Sequence, residues 1–229
     1  TMGAFGPLPY FAKVATHEAL AHGGACLLHG YRILLLNSAF FRSTPGSFGT
    51  DLAGPFANLG AALAIALLLR REGPPTAERF FLRLLCAFNL FWASCEMVVS
   101  ALTGRDDWGF AIASLPAPGL WRALLGAAGV LLYHQGARML RRHGLGRARG
   151  RILYATAGLA ACAAALAYAP DRLSAVREAA LETFGANLGL LFMASTPVAA
   201  PLPRSRGWTL AAVLAFPLFA ATLGRGLSF

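Results

Sequence analysis

Three side chains in the stretch T-H-E-A-L-A-H-G-G, Thr16 to Gly24, have the chemistry to hold and use a metal ion. His17 and His22 offer imidazole nitrogens, and Glu18 offers a carboxylate beside the first of them. In the pattern H-E-x-x-H the two histidines sit four apart on one helix face, and the glutamate acts as a base. Here they are five apart. On an ideal helix that places them about 140° from each other, while Glu18 and His22 are only about 40° apart. A regular helix therefore pairs Glu18 with His22, brings His29 near that face and turns His17 elsewhere. A single π-bulge would bring His17 and His22 roughly into line, and such bulges occur at functional sites. Gly23-Gly24 weakens the helix directly after the motif. A third reading makes these groups hydrogen-bonding partners of neighbouring helices that bind nothing.

Further polar groups lie in apolar surroundings: Asn58, Asn89, Glu96, Asp106, Asp107 and His134. Ionisable residues at membrane depth are costly and mark function by default. In D-L-A-G-P-F-A-N-L, Asp51 to Leu59, Gly54 and Ala57 permit close helix contact, Pro55 fits a first helical turn, and Asn58 adds one amide. Asp106-Asp107 is a candidate functional pair, a solvated loop or an ordinary helix cap. His134 is a candidate haem ligand or a hydrogen-bonded helix histidine.

The elements that must position these groups are helices in a membrane. The chain has 229 residues, 57% apolar and only 13% charged, where a soluble domain carries roughly a quarter charged residues. Apolar runs predict helices over about 9–28, 51–69, 78–102, 119–140, 152–169, within 170–196, and over 207–223. This is an all-α polytopic membrane protein with about six to seven spans in a single membrane-embedded domain, 1–229. Tyr31–Phe41 is too short to span and reads as a strand or hairpin dipping into the membrane, with an edge that could take an extended peptide. Thr103–Gly109 reads as a break, and Phe110–Pro118 as a linker or re-entrant piece. The net charge of +10 does not point to nucleic acid, because the arginines lie in loops between helices. Cys26, Cys86, Cys95 and Cys162 fall in apolar runs and read as free thiols. His17, Glu18 and His22 make the first apolar segment unlike a signal peptide. Trp92, Trp108, Trp121 and Trp208 fit an interfacial belt.

Arginine counts set the orientation. Arg70, Arg71, Arg79, Arg83, Arg138, Arg141, Arg142, Arg147, Arg149, Arg151, Arg204 and Arg206 fall on one side, and Arg32, Arg42, Arg105, Arg122, Arg172 and Arg177 on the other. Twelve against six puts the N-terminus in the cytoplasm; the expected location is a bacterial inner membrane. The 141–151 loop meets anionic lipid heads.

A-G-P-F-A-N-L, Ala53 to Leu59, resembles the A-G-P-x-A-N-L stretch of the site-2 protease family of intramembrane zinc metalloproteases. The order of features is similar too: H-E at 17–18, a hairpin segment at 31–41, G-P-x-x-N at 54–58, then F-N-L-F, Phe88 to Phe91, and T-G-R-D-D-W, Thr103 to Trp108. The resemblance covers about 10–110; the helices at about 119–229 match only as membrane helices. It implies that His17 and His22 bind Zn2+, that Glu18 activates water, that Asp107 is the third ligand, and that Asn58, with Gly54 and Pro55 on the same face, holds the substrate backbone. The chain departs from the family in the histidine spacing and in the position after Asn89 where the family carries its ligand; Met97 stands there and Glu96 precedes it, which makes Glu96 a rival third ligand. The implied substrate is a membrane-spanning or membrane-proximal polypeptide, with selectivity set by the membrane segment or by a partner subunit. Competing functions are a non-proteolytic protein on the same fold with a metal-binding or assembly role, a haem- or quinone-binding redox subunit using His22, His29 or His134, and a proton-coupled transporter using Glu18 and Glu96. The last lacks an internal repeat.

Overall fold

The computed structural model describes residues 2–71, 73–193 and 206–229. It is about 77% helical, with one small hairpin. The first helix is continuous but changes winding twice: α1 (Pro7–Val14), a π-helical segment (Ala15–Gly23) and α2 (Gly24–Leu28). Gly30, at φ +71°, turns the chain into β1 (Arg32–Leu36), which pairs antiparallel with β2 (Phe41–Thr44). Then follow α3 (Phe48–Leu69), α4 (Ala77–Thr103), α5 (Asp106–Ala113), α6 (Pro118–Arg142), α7 (Arg147–Ala165), α8 (Arg172–Ala186) and α9 (Arg206–Phe219), the last running into a π turn at Ala220–Gly224.

The boundaries follow side-chain chemistry. Ser47, Thr76 and Asp171 each accept a hydrogen bond from a backbone N–H three residues on, at 3.2, 3.2 and 3.0 Å, and so open α3, α4 and α8. Gly104, at φ +68°, closes α4 with its N–H on Ser100 O at 2.9 Å, a left-handed cap that costs glycine nothing.

α4 is the central post, packed against α1, α3, α5, α6 and α8. Its Leu84, Phe88 and Phe91 join Phe5, Tyr10, Phe11, Leu153 and Leu190 in one buried cluster. Three helices among the described residues are long and apolar enough to cross a membrane: α3, α4, and α9 with its π turn. Leu63, Leu67 and Leu68 on α3 and Leu210, Leu214 and Leu218 on α9 face outward. Exposed apolar faces of this kind mark contact with lipid or another protein.

Two expectations change. The chain does break after Thr103, at Gly104, but the stretch beyond is not a plain linker: α5 occupies 106–113, held by packing against α3, α4 and α6 rather than by its short apolar run. Trp92 is not interfacial; it is buried on α4, because that helix is covered on several sides, and Lys13 Nζ sits 2.8 Å over its ring. The four cysteines are free thiols. Arg204 and the end of the 170–196 segment lie outside the described residues.

The last residues of the described chain meet the hairpin. Leu36 and Leu227 exchange both backbone hydrogen bonds at 2.8 Å, and Ser38 N–H donates to Leu223 O at 2.8 Å. At Leu36 the free edge of β1 is therefore already taken.

Candidate metal centre

The π segment settles the spacing problem. Of the two local structures open to Thr16–Gly24, the chain takes the bulged one, and the widened turn brings residues five apart together. His17 Nε2 and His22 Nε2 lie 3.1 Å apart with both rings buried. Asp107, in the first turn of α5, reaches them from the far end of α4. Its Oδ2 is 3.1 Å from His22 Nε2 and 3.4 Å from His17 Nε2. Glu96 Oε1 lies 3.4 Å from His17 Nε2. Of the two carboxylates weighed as third ligand, only Asp107 makes an ion-pair contact with both histidines.

Backbone carbonyls fix where the hydrogens are. Thr50 O can only accept, so His22 Nδ1, at 2.7 Å, carries a hydrogen. Leu85 O likewise accepts from Asn89 Nδ2 at 2.7 Å. That turns Asn89 Oδ1 toward Asn58 Nδ2 at 2.7 Å, and Asn58 Oδ1 toward His17 Nδ1 at 2.5 Å. The direction of the chain makes His17 Nδ1 a donor as well. The two Nε2 atoms face each other and a carboxylate oxygen. Such an arrangement is unfavourable unless a proton or a cation lies between the three atoms. Histidines whose second nitrogen donates to a carbonyl are the usual form of metal-ligating histidine.

The dimensions suit a metal. Tetrahedral ligands with bonds of about 2.0–2.1 Å have donor atoms about 3.3 Å apart, and the three edges here are 3.1, 3.1 and 3.4 Å. Gly54 of α3 closes the triangle. A Cβ at that position would lie 2.6 and 2.7 Å from His17 Cε1 and Nε2, and closer still to His22 Nε2. The one residue type without a side chain leaves room against three converging donors.

Around this centre, Trp92 packs edge-on to His17 at 5.7 Å between ring centroids, and Phe41 of β2 stacks on His22 at 5.2 Å. Trp108 packs on Phe56 at 5.2 Å and ties α5 to α3. Glu18 is buried, its electrostatic neighbours include His17, His22 and Asp107, and its Oε2 has no hydrogen-bond partner. Asn58 is fully buried and both ends of its amide are engaged, by His17 and Asn89, so it fixes the orientation of the His17 ring. Gly54 and Pro55 are buried too, and Gly54 makes space for the imidazoles.

His29 and His134 are not drawn into the cluster. His29 is exposed and stacks on Tyr31 at 5.4 Å. His134 lines a cavity of about 520 Å³ between α4, α6 and α8. Sequence reasoning missed Thr50, which acts only through its carbonyl, and two charged residues near the centre, the buried Lys13 and the half-buried Glu182. Lys13 is the chain's only lysine and lies one helical turn before His17, a signal that was legible. No protein-family model, curated protein or solved structure matches this chain.

Proposed function

We propose that this chain is a membrane-embedded, metal-dependent peptidase of the site-2 protease kind, acting on membrane-spanning or membrane-proximal polypeptides. The observation that carries the reading is the convergence of two imidazole nitrogens and one carboxylate oxygen within 3.1–3.4 Å, opposite a glycine. His17, His22 and Asp107 would hold the ion, and the histidine-rich donor set favours zinc. When bound, such an ion polarises water and a peptide carbonyl. Glu18 takes a proton from the attacking water and passes it to the departing amine; its buried, unpartnered oxygen is suited to that work. Thr50 O and the Asn58–Asn89 relay keep both imidazoles in the tautomer that exposes Nε2.

In this reading the chain has six to seven spans in a bacterial inner membrane, with its N-terminus in the cytoplasm, as the arginine distribution prescribes. The test is cleavage of a reconstituted single-span model substrate in liposomes. Wild type cleaves it; Glu18→Gln keeps its metal and loses about 10²- to 10⁴-fold in rate. Equal cleavage by Glu18→Gln would remove the peptidase reading.

A further inference from the structure

The metal centre has an acidic flank that a single ion does not satisfy. Glu96, Asp106 and Asp107 place one carboxylate oxygen each within 4.8 Å of one another. Among the described residues, the ion pairs of Glu96 and Asp107 run only to His17 and His22, and Asp106 has none. The buried Lys13 ammonium makes no ion pair with the three acids. Glu96 is only 8% exposed and its Oε2 has no hydrogen-bond partner, although an ionised carboxylate so deeply buried demands one. Asp106 is exposed and forms the solvent side of the group.

We propose that a second divalent cation binds between Glu96, Asp106 and Asp107, with Asp107 bridging it to the ion held by His17 and His22. This rests on the metal reading of the histidine pair. Asp107 belongs to both donor groups, and a carboxylate has two oxygens with which to serve two cations. The second donor set is all oxygen, which selects a hard ion of the Mg2+, Mn2+ or Ca2+ class rather than zinc. Paired sites of this kind, about 3.5–4 Å apart, recur in hydrolytic enzymes.

The experiment uses purified, zinc-loaded protein in detergent, titrated with Mn2+ and followed by the electron paramagnetic resonance signal of free Mn2+, with elemental analysis of both metals at each point. Wild type should bind one Mn2+ per chain in addition to its zinc. Asp106→Asn and Glu96→Gln should weaken Mn2+ binding at least tenfold while retaining zinc and an unchanged thermal unfolding transition. Asp106 is exposed, so that variant also serves as the folding control. One zinc with no added Mn2+ would overturn the second site and leave the peptidase reading standing. Mn2+ binding undiminished in Asp106→Asn would equally overturn it. Absence of zinc from the wild type would remove both proposals together.

Discussion

A methyl group on Gly54 would lie 2.7 Å from His17 Nε2 and closer still to His22 Nε2, inside the space a bound ion requires. Gly54→Ala should therefore abolish metal binding, with a loss beyond the 10- to 100-fold typical when a supporting residue is changed. The helix itself would gain slightly in propensity, by up to about 1 kcal/mol. Elemental analysis beside a circular dichroism melt separates the two effects. Asn58 gives a graded case. Asn58→Asp keeps an acceptor for His17 Nδ1–H, whereas Asn58→Leu removes it. Chelator competition should find Asn58→Leu weakened by about 10- to 100-fold and Asn58→Asp closer to wild type. Much of this chemistry was legible in the residue types: His17, Glu18, His22 and Asp107 stand out against an apolar background. Asn58's task was not, because its direction depends on Leu85 O, a carbonyl that no side chain announces.

The π segment brings the two histidines of a motif with one residue too many onto one face. Leu20, 73% exposed on the outer face of that segment, is the residue whose removal disturbs least. Deleting Leu20 should collapse the widened turn to a regular helix with H-E-x-x-H spacing and keep the metal within about tenfold in affinity. Inserting an alanine there should destroy binding. Metal content of the two variants decides whether the extra residue is absorbed as described. Both local structures were readable in the sequence, but the choice between them comes from packing against α3, where Gly54 and Thr50 receive the rings. α5 was illegible for a related reason. Its apolar run is short, and it opens at Asp106 with φ +72° rather than with a side-chain cap. Neighbouring helices, not local propensity, hold it and thereby set Asp107 in place.

Lys13 on α1 faces Trp92 on α4, and its electrostatic neighbours include Glu182 on α8, so these charges tie the first hundred residues to the later helices. The Leu36–Leu227 pairing does the same at the hairpin. Leu227→Pro removes one of its two backbone hydrogen bonds and should lower local stability by about 1 kcal/mol, read as faster amide exchange at Leu36. Helix periodicity and apolar runs made the helical architecture legible over most of its length. These long-range ties were not, because each joins residues distant in sequence. Orientation rests on arginines alone: reporter fusions should place the 141–151 loop and the N-terminus on the same, cytoplasmic side.

The zinc content of detergent-purified protein, compared with His22→Ala and Asp107→Ala, bears most directly on the central claim. One zinc per chain in the wild type, lost in both variants while they remain folded, is the predicted result. Wild-type protein free of zinc after metal-replete expression, or zinc retained in His22→Ala, would contradict a metal centre at His17, His22 and Asp107.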